Sequence, residues 1–145
     1  MHLPSLSSLV RAATLAVLCS SAAAQRVWVV APLVGPGVDF TIIQSAVSAA
    51  ADGDTILVRA GTYATAEVRT KALVLVGENA TLQSPTGNFT LVIEGTRADQ
   101  SVVVRGFAVN TIGRALDVTN CSGPVLIDSS MKLYASSVGD GGPHR

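Results

Sequence analysis

Three charged residues in the second half of the chain are the candidates for catalysis: Arg105, Asp117 and Asp128. Arg105 follows the aliphatic run at 102–104, and Asp128 follows a similar run at 125–127. An acid and a cation that meet on an outer face can form an acid/base couple. Opposite surface charges more often form solvated pairs that contribute little. The pair of Arg105 and Asp128 lacks a second carboxylate or a base partner, so the sequence favours structural roles.

Asp52 and Asp54 flank Gly53 and form the closest pair of carboxylates. Two acids on a glycine turn can bind Ca²⁺, but this ion takes about six to eight oxygen ligands. Asp39 is the only further acid nearby. The alternative is turn chemistry, with Asp52 near a helix end, Gly53 in the left-handed cap position and Asp54 entering a strand. The ligand count favours the turn, and we predict neither a metal nor a cofactor.

The other reactive side chains are few. The two histidines, His2 and His144, lie near the two ends of the sequence, away from any predicted core. Cys121 would be the only thiol left after removal of an N-terminal signal, so a disulfide framework is excluded. No Lys, Arg or His adjoins Cys121, and we expect a small buried apolar residue there.

Composition excludes two classes of protein. Ten Lys and Arg balance ten Asp and Glu among 145 residues, of which 48% are hydrophobic. The longest basic stretch is Arg69-Thr-Lys71, which excludes nucleic-acid binding driven by bulk charge. High aliphatic content with zero net charge excludes a disordered chain. The length bounds the protein to one globular domain at most.

Residues 1–24 have the features of a secretory signal peptide. Arg11 precedes an apolar run of eight residues at 12–19, and three alanines at 22–24 supply the small residues that signal peptidase requires. A membrane span needs about 20 apolar residues, which this run does not reach. The sequence therefore predicts a secreted or cell-surface protein with no membrane span after cleavage.

A single helix is predicted at residues 42–51, inside a capping unit at 41–52. Its apolar residues follow a helical period: Ile42, Ile43, Ala46, Val47 and Ala50. Thr41 is the predicted N-cap, with Gln44 three residues later completing a capping box, and Asp52 with Gly53 ends the helix. One face of this helix must therefore pack on another element.

Short aliphatic runs follow the helix, and they recur at a nearly constant spacing. Leu91 aligns with Leu116 at an offset of 25, Val102 with Val125 at 23, Phe107 with Met131 at 24, and Leu73 with Val102 at 29, the excess being assigned to the loop at 84–87. Runs of β-branched residues bounded by glycine predict strands. Three strands that recur about every two dozen residues predict a parallel β-solenoid. We expect this domain at 25–134 and a flexible Gly-rich tail at 135–145.

Three polar residues fall at the ends of these predicted strands: Asn110, Asn120 and Ser122. Asparagine tolerates left-handed backbone and hydrogen-bonds to its own neighbours. We therefore expect these side chains to serve turns rather than a ligand.

Residues 39–63 carry a family resemblance. They contain Phe40-Thr-Ile-Ile-Gln44, then Gly53-Asp-Thr-Ile-Leu-Val58, then Gly61-Thr-Tyr63. This order resembles the opening of the right-handed parallel β-helix superfamily typified by pectin lyases and pectin methylesterases. The resemblance implies an all-β solenoid, specifically a short right-handed parallel β-helix with an N-terminal capping helix, and extracellular polysaccharide as the substrate class. The family's catalytic carboxylate segments do not occur here.

These observations predict a secreted scaffold or carbohydrate-contacting module without complete catalytic machinery. The alternative is a truncated or remnant polysaccharide-active enzyme, such as a lyase, hydrolase or esterase. Two carboxylates in one cleft would favour the enzyme, and a flat ladder of Thr, Asn and Ser would favour binding. The expected partner is a polysaccharide or cell-surface glycan. Since no aliphatic residue follows Val138, we also expect an open C-terminal end that self-associates.

Overall fold

The computed structural model describes residues 24–84, 89–128 and 132–135. The described residues form ten strands and one helix: β1 (Val27–Val30), α1 (Ile43–Ala49), β2 (Asp54–Val58), β3 (Gly61–Tyr63), β4 (Ala66–Arg69), β5 (Leu73–Ser84), β6 (Leu91–Glu94), β7 (Val102–Thr111), β8 (Leu116–Thr119), β9 (Val125–Ile127) and β10 (Lys132–Ala135). The predicted signal peptide, except Ala24, and the predicted tail beyond Ala135 lie outside the described residues.

The strands wind into an all-parallel β-solenoid of about four turns with little helix. One sheet has the order β1-β2-β5-β7-β10, with β3 also paired to β5 and β9 also paired to β7. We call it sheet A. Sheet B has the order β4-β6-β8. Each strand thus lies beside its counterpart from the next turn, which confirms the solenoid prediction.

The register confirms the predicted offsets. Leu91 pairs with Leu116, and Val102 pairs with both Val125 and Leu73. β10 pairs with β7 at the predicted offset of 24, although Met131 itself lies outside the described residues. These pairings arise because inward aliphatic side chains of successive turns stack on one another.

The position of the extra residues in the longer turn was predicted only in part. The offset between β5 and β7 is 29 at Leu73 but 27 at Ala80, because β5 has a bulge between Val76 and Ala80. Two of the extra residues therefore lie in this bulge rather than in the loop at 84–87. A bulge inserts residues opposite a shorter stretch of the partner strand and bends its own strand.

The hydrophobic core lies inside the coil, where alternate side chains of β2, β4, β5, β6 and β7 meet. Its largest fully buried side chains include Phe107, Ile43, Ile56, Leu73, Leu75, Leu82, Leu91 and Ile93. Fully burying one such side chain contributes about 1.5–3 kcal/mol. The stacked aliphatics are thus the main source of stability in a chain whose described cysteine, Cys121, is free.

The helix is shorter than predicted and begins differently. α1 covers seven residues, its N-cap is Ile42 rather than Thr41, and no side chain caps its N-terminus. Gln44 does not form the predicted capping box. Its amide accepts a hydrogen bond from the Glu67 N–H at 2.8 Å and donates to the Glu67 carbonyl at 3.2 Å. The Gln44 side chain therefore bonds to the backbone edge of β4 instead of to the N-terminus of α1.

The C-terminus of α1 also departs from the prediction. Its C-cap is Ala50, and Gly53 takes its left-handed φ of +88° in the turn that follows, not at the helix cap. The ammonium of Lys71 satisfies the last carbonyls, donating to the oxygens of Val47, Ser48 and Ala50 at 2.9, 3.1 and 2.7 Å. A cation at this end also interacts favourably with the helix dipole.

A column of left-handed residues follows sheet B. Thr70, Gly95 and Asn120 come directly after β4, β6 and β8, with φ values of 50°, 71° and 52°. Asn120 thus follows a strand, as predicted, and has the left-handed backbone that asparagine tolerates. Asn110 is the last residue but one of β7 and lies on its outer face, one residue before the end of the strand.

Candidate functional site

Arg105 and Asp128 lie one turn apart, as their positions after two aliphatic runs predict. Val104 of β7 pairs with Ile127 of β9, and the Asp128 N–H donates to the Val104 carbonyl at 2.9 Å. Asp117 belongs to β8 in sheet B. The structure therefore places Arg105 and Asp128 beside each other on sheet A and leaves Asp117 on a different sheet.

Asp54 is buried, and its carboxylate binds the protein itself. It accepts hydrogen bonds from the backbone N–H groups of Arg26 and Ala51 and from the indole N–H of Trp28, each at 2.9 Å. Burial alone would raise the pKa of this carboxyl. The hydrogen bonds outweigh burial, so the pKa lies below its ordinary value. Asp54 thus ties the start of β1 to the turn after α1.

Asp52 is the second member of the predicted pair, and it bridges successive turns. Its carboxylate accepts from the Gln100 amide at 2.9 Å and from the Ala72 N–H at 3.0 Å. These two bonds and the nearby Arg97 lower the pKa of Asp52, with Gln100 the largest cause. No three metal-binding side chains come together within the described ranges. Asp52 and Asp54 thus hold the tight turn between α1 and β2 in place through hydrogen bonds. This is the role that the count of metal ligands favoured.

Cys121 is only half-buried, so the expectation of a buried residue holds in part. Its thiol lies 3.6 Å from the Ile93 carbonyl and 3.3 Å from the Thr119 carbonyl, and its single S–H can donate weakly to either one. Neither histidine lies among the described residues.

A ladder of neutral polar side chains lies on the outer face of sheet A. Thr62, Thr81, Gln83 and Asn110 point outward because they alternate with inward residues such as Tyr63, Leu82 and Val109. Thr62 pairs with Thr81, and Gln83 pairs with Asn110. Adjacent strands in a sheet are about 4.8 Å apart. We call these four residues the polar ladder, and each can donate as well as accept hydrogen bonds.

A groove of about 310 Å³ opens beside the polar ladder at the bulge of β5. It is lined by Asn79, Ala80, Thr81, Gly106, Phe107, Ala108 and Lys132. Gly106 has a φ of +75°, and a Cβ there would lie 2.2 Å from the Gly77 carbonyl oxygen. The floor of the groove therefore requires glycine. Asn79 and Lys132 are exposed and offer a carboxamide and an ammonium to a ligand.

A second groove, of about 380 Å³, lies where α1 meets sheet B. Gln44, Thr65, Glu67 and Phe89 are among its lining residues, and the guanidinium of Arg114 lies 5.6 Å from the Phe89 ring centroid. Sequence reasoning missed both grooves. Their lining residues are far apart in sequence, and only the pairing register brings them together.

The charged face of sheet B was also missed. Arg69 forms ion pairs with Glu67 on its own strand and with Glu94, its register neighbour on β6. All three side chains are exposed or half-exposed. Pairs of this kind contribute about 0–1 kcal/mol each. Arg69 thus forms ion pairs with both Glu67 and Glu94, and these two carboxylates are not left as an unpaired couple.

Comparison of the chain with family models, curated proteins and solved structures finds no match. Within the part of the chain that the structure describes, no helix is long and apolar enough to cross a membrane.

Proposed function

We propose that the chain is a secreted or cell-surface scaffold whose outer surface contacts carbohydrate. The polar ladder carries this proposal. Sugar hydroxyls both donate and accept hydrogen bonds, and so do the hydroxyl and carboxamide groups of Thr62, Thr81, Gln83 and Asn110. Their repetition across neighbouring strands suits a ligand that also repeats, such as a polysaccharide.

The proposal places the chain among right-handed β-helices of the pectin lyase-like kind, with α1 as an N-terminal cap. Support for the hand comes from parallel crossover connections, which are right-handed in about 98% of cases. Support for the cap comes from Ile43, Ala46 and Val47, which are buried in the same cluster as the strand interiors. The resemblance of residues 39–63 to the opening of that superfamily adds to both.

A binding role is preferred to catalysis because four carboxylates bind groups of the protein itself. Glu67 and Glu94 are paired with Arg69, and Asp52 and Asp54 accept hydrogen bonds from the protein itself. None of the described residues that line the groove beside the polar ladder carries a carboxylate. Arg105 and Asp128 lie beside each other one turn apart. They are the residues that a remnant enzyme would use.

The test is affinity electrophoresis of the purified chain through gels that contain neutral or acidic polysaccharides. We expect retardation in at least one gel and its loss in the triple variant Thr81→Ala, Gln83→Ala, Asn110→Ala. The matched control is Ser101→Ala with Thr119→Ala, two exposed polar residues outside the ladder. Equal retardation of the ladder variant and the wild type would contradict the proposed surface. Polysaccharide cleavage or de-esterification that disappears in Asp128→Ala would favour the remnant enzyme.

A further inference from the structure

The groove beside the polar ladder runs across the strands, in the direction of the solenoid axis. Its lining includes Thr81 from β5, Ala108 from β7 and Lys132 from β10. These three strands belong to successive turns and are neighbours in sheet A. Because adjacent strands are about 4.8 Å apart, the groove extends over roughly 10 Å along the axis. A ligand that fills it must therefore cross the strands rather than follow one of them.

A row of outward residues continues the groove onto a fourth strand. Lys132 pairs with Ala108, Ala108 pairs with Thr81, and Thr81 pairs with Thr62 of β3. All four are exposed or half-exposed. We call these four residues the axial row. The row presents one side chain on each strand that it crosses, at a repeat of about 4.8 Å.

The polar groups along the axial row are available to a ligand. The side chains of Thr62 and Thr81 make no hydrogen bond to another described residue, and the same holds for Gln83 and Asn110. Gln83 and Asn110 lie two residues further along β5 and β7, so their carboxamides flank the row. On β7, where the row itself has only the methyl group of Ala108, the Asn110 carboxamide is the polar partner. Each of these groups can both donate and accept.

We propose that the axial row binds a neutral, extended β-1,4-linked glucan that lies along the solenoid axis, with one sugar on each strand of the row. This inference rests on the proposed function and adds to it the class of glycan and its orientation. Both linkage positions of each sugar in such a glucan are equatorial, so the chain is nearly straight. Its advance per sugar is close to the strand spacing of about 4.8 Å. Successive sugars can therefore contact β3, β5, β7 and β10 in turn.

Two other kinds of glycan fit the row less well. An α-1,4-linked glucan coils, so its successive sugars leave a straight row. A chain of uronic acids carries a carboxylate on every sugar and needs a cation on every strand of the row. Among the described residues that line the groove, only Lys132 is charged. The row therefore favours a neutral and straight chain.

The first test is calorimetric titration of the purified chain with β-1,4-linked glucose oligomers, from the disaccharide to the hexasaccharide. We expect the affinity to rise by about fivefold with each added sugar, the effect of one net hydrogen bond, and to level off at the tetrasaccharide. Oligomers of α-1,4-linked glucose and of galacturonate should show no such rise. Absence of binding by the β-linked oligomers, an affinity independent of length, an equal rise with α-linked oligomers, or tighter binding of galacturonate would overturn the inference.

A second test shortens the row by one strand. Thr62→Ala removes the polar group on β3, so the affinity should level off at the trisaccharide instead of the tetrasaccharide. Thr55→Ala is the matched control, because Thr55 is also an outward threonine of sheet A but lies on β2, outside the groove. Equal length profiles for both variants would refute the orientation along the axis. Retardation in polysaccharide gels without these length effects would refute this inference alone and leave the proposed carbohydrate contact intact.

Discussion

At the scale of single residues, Thr70 is the one β-branched member of the left-handed column. L-residues in this conformation cost about 1–2 kcal/mol, and Asn tolerates it best after Gly. Thr70→Asn should therefore raise the free energy of unfolding by about 1 kcal/mol, measured by urea denaturation. Thr119→Asn is the control, since Thr119 lies in the extended strand β8 and gains no such relief. Equal effects of both substitutions would show that Thr70 stores no strain.

Asp54 makes the stability of the fold sensitive to acid. Its folded-state pKa lies below the ordinary value, so the unfolded chain takes up a proton first as the pH falls. Its stabilising contribution is fully present above about pH 4 and is lost as the pH falls through the lowered pKa. Asp52 acts in the same direction. We expect the melting temperature of the wild type to decrease when the pH is lowered below about 4.

Asp54→Asn tests this assignment. The variant should be less stable at neutral pH, because an amide cannot replace a carboxylate that accepts three hydrogen bonds. Its melting temperature should also change less between neutral and acidic pH than that of the wild type. Asp99→Asn, at an exposed position, should keep the wild-type pH dependence. An unaltered pH profile in Asp54→Asn would remove Asp54 as the source.

At the scale of elements, substitutions at the start of α1 test whether this helix caps the solenoid. Ile43 is buried, whereas its neighbour Ile42 is 57% exposed. Ile43→Asp should lower the free energy of unfolding by about 3 kcal/mol or more, because it removes core packing and buries a charge. Ile42→Asp should change it by less than about 0.5 kcal/mol. Chemical denaturation of the pair is the measurement, and equal stability of both variants would show that α1 does not cover the core.

At the scale of the whole molecule, the export prediction is tested by expression with the natural N-terminus. N-terminal sequencing of secreted material should begin near Gln25, because the alanines at 22–24 fit signal peptidase. Exported protein that still begins at Met1 would refute cleavage, and protein found only inside the cell would refute export.

The solenoid could be predicted from sequence because its core repeats. Leu91, Val102 and their counterparts one turn later are aliphatic for the same reason, and the offset between them is visible in the chain. The hydrogen-bond partners of polar side chains could not be predicted from the sequence. The Gln44 side chain can hydrogen-bond either to the N-terminus of its own helix or to the edge of β4. The packing of α1 against β4 determines which of the two bonds forms. The polar ladder depends likewise on the register of β5 with β3 and with β7. The bulge in β5 shifts its register with β7 by two residues.

The column of left-handed residues places the same backbone conformation at the same point of successive turns. Gly95 and Asn120 follow strands that pair at an offset of 25, so residues 95–119 amount to one complete circuit. Deleting that segment joins Glu94 directly to Asn120, which already has the conformation that Gly95 provided. A shortened chain should still fold cooperatively, with a smaller heat-capacity change on unfolding because less apolar surface is buried. A solenoid of this kind can therefore gain or lose a whole turn by duplication or deletion, because each turn stacks on the core of the turn before it.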